Sequence, residues 1–389
     1  MAGCAASLAA LVWLGAGSVQ AEEWSVDGRV RGTTEYDDNI RLSPTDAQDD
    51  IAFTVSPEVD LQRRGSRLDL TLNTRLDFSR FVKDSDLNTN DQRFLLDTDY
   101  RTMHGSWGLE AEINRDSTRT SEVADTGRFI DIARKELYRV APSRSHMLSP
   151  RDVIELGGDA TIVRYDTSTL TDYNSYSVSG SWAHDLTAVD QIQTNVFGSL
   201  FETQVDNETE SRLVGGVVTW RHNASEQLQT TIGAGPRYLE TEAPRLVGGT
   251  VQRRTESSVG YLFNGGIRYQ IDPETLFDGT VGHSVEPSGA GEPLERTSAE
   301  VNLRWQFDQA FWFGMNGALQ FSEESTGSAT VDRTYLGLSP SINWNVTRDW
   351  LLSTRYRFRA QKRENESTAY GNAVFVSLSY QFEQWTLGH

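Results

Sequence analysis

Between Thr334 and Arg359 apolar and polar residues alternate one by one. Leu336, Leu338, Ile342, Trp344 and Val346 share one parity; Ser341, Asn343 and Asn345 take the other. After a short Thr347-Arg348-Asp349 turn, Trp350, Leu352, Tyr356 and Phe358 fall on one side, and Ser353, Arg355, Arg357 and Arg359 on the opposite one. A period of two places successive side chains on opposite faces of a β-strand. Three arginines in succession make one face wet, and tryptophans beside the turn finish the other. Apolar outside, charged inside, with tryptophan at the strand ends, is the pattern of a transmembrane β-barrel.

Strand-like segments recur along the whole chain, and their connections alternate between tight and long. Tight turns are expected at 63–66, 103–106, 148–152, 185–190, 222–227, 271–275, 307–310 and 345–349. Long loops are expected around 37–50, 83–91, 117–128, 166–172, 203–211, 241–254, 286–296, 322–332 and 361–370, all rich in Asp, Glu, Ser, Thr, Gly and Asn. Eight turns and nine loops delimit 18 strands. The predicted fold is all-β, a transmembrane antiparallel up-and-down barrel. The segment 128–147 alternates poorly and contains Pro142, which leaves 16 strands as the alternative count. Trp107, Trp182, Trp220, Trp305, Trp312, Trp344 and Trp350 cluster near the tight turns, with Trp24 and Trp385 at the chain ends. The expectation is that all nine sit on one rim, half in lipid and half in headgroups.

Residues 1–21 read as a secretory signal: an apolar run from Ala5 to Ala16, then Val19-Gln20-Ala21 ahead of the expected cleavage, with no Lys or Arg before the run. Residues 22–389 then form a single domain. The one cysteine, Cys4, precedes the apolar run, so the mature chain has none; this excludes a disulfide scaffold and a thiolate metal site. The formal net charge of −19 argues against nucleic acid as a partner, since that binding rests on phosphate neutralisation.

Parity also nominates a lumen. Inward candidates on the early strands are Glu58, Asp60, Asp69, Asp77, Asp97, Asp99, Glu110 and Glu112, with Arg67, Arg75, Arg93 and Arg101 among them. Later strands contribute Arg268, Arg304, Arg355, Arg357 and Arg359 with fewer acids. An acidic-leaning wall would face a basic one and impose a transverse field on polar solutes. The plainer alternative is that the charges pair across neighbouring strands and keep the interior wet.

Tyr36-Asp37-Asp38-Asn39-Ile40, the strand containing Pro57, the alternating SRLDLTLNTRLDFSRF, Glu286-Pro287-Ser288-Gly289-Ala290-Gly291 and the closing NAVFVSLSYQF occur in order along the chain. Together they resemble the outer-membrane β-barrel porin family associated with bacterial exopolysaccharide systems. The resemblance implies an outer-membrane location and a part in exporting a polysaccharide, a task that would call on periplasmic export components; the barrel-assembly machinery is a partner expected from the final strand. It carries over no catalytic residue. The alternatives are a general or substrate-specific diffusion porin, which needs an inward-folded loop, and a non-conducting surface adhesin or assembly platform. The stretches 37–50 and 241–254 are the longest loop candidates. Val376, Leu378, Tyr380 and Phe382 resemble a final-strand assembly signal, although seven residues follow Phe382.

Reaction chemistry finds little support. His104, His146, His184, His222, His283 and His389 show no metal-ligand spacing, and His283-Ser284 is the nearest approach to a nucleophile–base pair. Asp37, Asp38, Asn39, Asp46, Asp49 and Asp50 could hold Ca²⁺ through oxygen ligands, but a solvated acidic loop is the simpler reading. No cofactor is expected.

Overall fold

The computed structural model describes residues 22–119, 121, 133–204, 209–247, 250–326, 329–364 and 366–388; the expected signal at 1–21 and most of the loop expected at 117–128 lie outside them. The first nine strands are β1 (Glu23–Asp37), β2 (Asp50–Arg64), β3 (Leu68–Phe81), β4 (Thr89–Thr102), β5 (Gly105–Ser117), β6 (Arg134–Ser149), β7 (Asp152–Tyr165), β8 (Tyr173–Asp185) and β9 (Asp190–Thr203). The second nine are β10 (Glu210–Asn223), β11 (Leu228–Val247), β12 (Thr250–Asp272), β13 (Thr275–Glu286), β14 (Leu294–Gln306), β15 (Phe311–Thr326), β16 (Ala329–Asn345), β17 (Trp350–Arg363) and β18 (Ala369–Gln381). Each pairs antiparallel with its sequence neighbours, and β18 pairs with β1. This is a closed 18-stranded up-and-down barrel with no free edge.

All eight tight turns lie where alternation places them. The long-loop end differs in two places. The stretch 241–254 is not a loop: β11 and β12 pair through Val247↔Thr250. The ladder of β12 with β13 stops at Phe263↔His283, so this hairpin runs on as a ribbon above the wall. Likewise β15 and β16 pair through Thr326↔Ala329 in the expected loop 322–332. Polar composition marks exposure to water, which a protruding ribbon shares with a loop.

Five prolines sit inside strands without breaking them; one, Pro244, lies opposite Arg253 in the protruding β11–β12 ribbon. Around Pro57, Pro142, Pro236 and Pro340 the pairing with one neighbour lapses for two residues and resumes in the same register. Proline lacks the N–H that the ladder needs, and a lapse confined to one neighbour keeps the loss local. This is why 134–149 is a strand despite Pro142. Past Gln381, Phe382 N–H bonds to Gly28 O (2.8 Å), and a short β19 (Trp385–Gly388) rejoins β1 with the register shifted by one residue. The residues after Phe382 thus extend the last strand beyond a bulge.

The two faces separate sharply. One parity carries exposed apolar side chains, among them Val178, Val196, Val214, Ile232, Val259 and Ile342. Eight tryptophans (Trp24, Trp107, Trp182, Trp220, Trp305, Trp344, Trp350 and Trp385) share that outer parity at the short-turn end. Trp312 does not: it shares parity with Gly314, Asn316 and Gln320 on the inner face, beneath the Arg304 guanidinium (5.4 Å to the ring centroid). Proximity to a turn fixes height along the barrel, and parity fixes the side. The buried apolar groups lie inside the long-loop end, in clusters of Ile40, Ala52, Phe81 and Leu87; of Leu42, Tyr335 and Ala369; and of Val163, Tyr173 and Phe201.

Candidate pore constriction

On β17 the three arginines face inward, and small residues on the strand beside them let them reach across it. Arg357 and Asp37 lie on either side of Ala373, and Arg359 lies opposite Gly371. With so little bulk on β18, the guanidiniums cross to β1. Arg357 Nη2 donates to Glu35 (2.9 Å) and Asp37 (3.0 Å), and Arg359 Nη2 donates to Asp37 (2.6 Å). Asp37 is fully buried and accepts a third hydrogen bond from Asn39 N (3.0 Å). Arg355, lower on the strand, stacks on Phe375 at 4.2 Å, and Arg357 shares that ring at 4.8 Å. Among the described residues Arg355 has no carboxylate within ion-pair distance.

A further arginine arrives from beyond β5, four strands round the wall from β1. Arg119, two residues beyond β5, donates to both carboxylate oxygens of Glu35 (3.4 and 3.3 Å) and stacks over Phe81. It therefore spans from the β5 wall to β1, and with Arg357, Arg359, Tyr335, Gln320 and Glu300 it lines a cavity of about 360 Å³. The loop 38–49 also turns inward. Leu42, held at φ 46°, buries its side chain against Tyr335 and Ala369. A Cβ on Gly371 would stand 3.2 Å from Leu42 Cδ1, so the wall is cut away to receive it. A non-glycine residue at positive φ carries backbone strain, offset here by that apolar burial.

The acidic loop is organised by hydrogen bonds within the protein. Asp50 accepts from Ile51 N, Lys83 N and Asp84 N (2.7, 3.0 and 3.0 Å), which clips loop 38–49 to loop 82–88. Burial works against its charge, yet these amides hold the carboxyl below the usual range. Asp38 accepts from Asn372 N and Nδ2, and Asp49 pairs with Lys83. Among the described residues no group of three or more His, Cys, Asp or Glu could hold a metal ion.

The remaining nominated residues share the inner parity but are spread along the barrel. Arg101 pairs with Asp69 and lies 3.9 Å from Asp99; Arg75 bonds Asp77, which also accepts from Ser56. Arg93 bonds Glu112 (2.9 Å), and Arg139 joins Glu110 to Asp159. Asp97 lies opposite Thr71 and Glu110. Arg268 lies low on β12, 3.8 Å from Asp278, and Arg304 is the residue stacked on Trp312. Arg67 belongs to the β2–β3 turn rather than a strand. Most early carboxylates thus pair with arginines on the same or neighbouring strands, as the plainer alternative has it. His283 and Ser284 project to opposite faces: His283 stacks on Tyr261 outside, while Ser284 donates to Glu286 within.

Sequence reasoning missed three features. Arg119 and Arg139 fall in or beside stretches where alternation fails. Glu35 was hidden in a polar run that gives no parity contrast. At the short-turn end, Asp152 accepts from Ser149 Oγ (2.5 Å), Trp182 Nε1 (3.1 Å) and His184 Nδ1 (2.8 Å). Thirty-eight residues on, Asp190 accepts from Thr187, Trp220 and His222 in the same way (2.8, 3.1 and 2.8 Å). The repeated [Ser/Thr]-x-x-Asp and Trp-x-His spacings were the signal available for it.

No protein-family model matches the chain, and no curated protein matches it. Among solved structures it is similar to the ferric citrate transporter FecA in its unliganded form, with a TM-score of 0.53 and 11% identity over 90% of this chain and 63% of that one. It is also similar to OccAB3 of Acinetobacter baumannii (TM-score 0.46, 10% identity, 93% and 99% covered) and to Pseudomonas aeruginosa OpdK with vanillate (0.47, 9%, 93% and 99%). The likeness is one of fold. It is the fold of outer-membrane β-barrel channels and transporters.

Proposed function

We propose that the protein is an outer-membrane channel for passive diffusion of small hydrophilic solutes, with the arginine–carboxylate lattice at the outer mouth as its constriction. The observation that carries this reading is Arg119 leaving the wall beyond β5 to pair with Glu35 on β1, beside the inward-folded loop 38–49. A hydrated polysaccharide needs a continuous wide path. Here Arg119, its ion pairs and the buried Leu42 of loop 38–49 project into the mouth and narrow the path such a chain would need. Polymer export, the first expectation from sequence, therefore ranks below a diffusion porin. The eight outward tryptophans and the apolar outer parity support membrane insertion, with the short turns periplasmic and the long loops outside. Selectivity would rest on charge placement along the wall, and Arg355, which has no carboxylate within ion-pair distance among the described residues, would bias the mouth toward anions.

Planar-bilayer recordings of the refolded protein test this. Stepwise conductance with preference for chloride over potassium is expected, and Arg355→Gln should lower that preference. A bilayer that stays silent at every potential rejects the channel. A deletion strain that loses surface glycan while solute uptake is unchanged would restore the export reading.

A further inference from the structure

Across β8 to β10 the inward positions carry no charge above the short-turn end, where Asp185 and Arg221 flank Gln191. Above Asp185 the inward positions of β8 are Tyr173, Ser175, Ser177, Ser179, Ser181 and Ala183. On β9, positions 193–203 of the same parity are Gln, Asn, Phe, Ser, Phe and Thr; on β10, positions 211–219 are Ser, Leu, Gly, Val and Thr. An interior strand with serine at four successive inward positions is not explained by keeping water in the lumen, which charges do better elsewhere in this barrel. Among the described residues, the hydroxyls of Ser175, Ser177, Ser179, Ser181 and Ser199 make no side-chain hydrogen bond. They face the lumen.

Against the upper part of this sector lies a cavity of about 600 Å³, lined by Thr161, Ser175, Ser177, Ser199 and Phe197 and covered by Pro287. Ser177 and Ser199 are direct cross-strand partners, as are Thr161 and Ser175, so the hydroxyls form one patch. Phe197 lies over Gly215, where a Cβ would stand 2.8 Å from the ring. The cover is the Glu286-Pro287-Ser288-Gly289-Ala290-Gly291 segment. It crosses from β13 and is held down by Thr171 N–H donating to Gly289 O (2.8 Å). A Cβ on Gly289 would stand 2.8 Å from the Tyr165 hydroxyl, so any larger residue there would have to push that ring aside. The charged residues at the cavity's border are engaged: Asp159 with Arg139, Arg296 with Glu286, and Lys135 buried with a partner of its own.

We infer that this cavity and the serine ladder below it form a binding track for an uncharged, polyhydroxylated solute of mono- to oligosaccharide size. Hydroxyls both donate and accept, so they match sugar hydroxyls in either sense. The Phe197 ring offers a flat apolar surface for the C–H face of a pyranose. With its border charges already paired, the cavity gives a carboxylate or ammonium no counter-ion, and its volume is in the range of small-molecule sites. The inference rests on the channel reading and names its substrate class.

Saturation-transfer NMR on the full protein in detergent, with sucrose as probe, reads binding without relying on conduction. The expected result is transfer to sucrose, competed by other neutral sugars. It should weaken roughly fivefold for each hydroxyl removed in the series Ser175→Ala, Ser177→Ala and Ser199→Ala, since one neutral hydrogen bond is worth about 1 kcal/mol. Phe197→Leu, which preserves a packed apolar residue, should weaken it as well. Chloride conductance of the same variants in bilayers shows that they are folded. Absence of transfer to sucrose, or transfer unchanged in the triple serine variant, overturns the sugar track and leaves the channel standing. Transfer without conductance supports the track and rejects the channel.

Discussion

Asp37→Asn is the sharpest perturbation the mouth offers. The wild-type carboxylate is wholly buried and holds Arg357 and Arg359, while Arg359 is itself only 3% exposed. An amide oxygen can still accept one hydrogen bond, but the neutral group no longer offsets the charge on Arg359. Removing one member of a buried ion pair typically costs ~3–5 kcal/mol, much of it from the charge left behind. Glu35 can compensate only in part, because it already binds Arg119 and Arg357. Equilibrium unfolding in denaturant should therefore show a loss of about 3 kcal/mol for Asp37→Asn. The double variant Asp37→Asn/Arg359→Gln should recover a large part of it, since removing both partners leaves no orphan charge. In bilayers the single variant adds one uncompensated positive charge to the mouth and should shift the reversal potential toward chloride; the double variant should return it. Equal stability and equal reversal potentials in the single and double variants would refute the buried-lattice account.

Other consequences are separable. Replacing Arg355, Arg357 and Arg359 together by Gln should abolish most anion preference, read as reversal potential in a salt gradient. The loop clip at Asp50 depends on a depressed carboxyl, so its contribution is complete above the ordinary value of about 3.9 and is lost as pH falls through the lower folded value. Spin labels in loop 82–88 should thus gain mobility only below about pH 4, whereas Asp50→Asn should be mobile at neutral pH as well. Brominated lipid should quench the eight outward tryptophans and spare Trp312, which aqueous iodide should reach through the lumen. Asp152→Asn combined with Asp190→Asn removes both Trp–His–Asp clasps and should lower the thermal transition without changing ion preference.

The barrel was legible because its physics is local: period-two alternation, turn residues and tryptophan height need only a few neighbours in sequence. The same locality explains what was hidden. Whether a polar stretch such as 241–254 is a loop or a paired ribbon depends on hydrogen bonds between residues of equal polarity, which composition does not distinguish. Trp312 shows the limit of using height without parity. The eleven nominated lumen residues share the inner parity, but their partners were not readable. Arg119 reaches Glu35 from more than eighty residues away, and no spacing rule links them.

Eighteen strands enclose more space than side chains from the wall can fill, so what narrows this barrel must come from the loops and from long side chains. The chain uses both. Small residues at Gly371 and Ala373 let arginines lie flat across β18 instead of filling the lumen outright, and Leu42 and Arg119 close over them. On the opposite side, serines keep the β8 wall short, and the Pro287 segment descends to make the cavity there. The basic mouth and the neutral track are therefore two answers to one geometric requirement. Because they sit in different sectors, charge selection and hydroxyl recognition should be independently removable. The test is to combine Arg355→Gln with the triple serine variant: ion preference and sucrose binding should each fall as they do singly, and any strong non-additivity would mean that the two sectors act on one path.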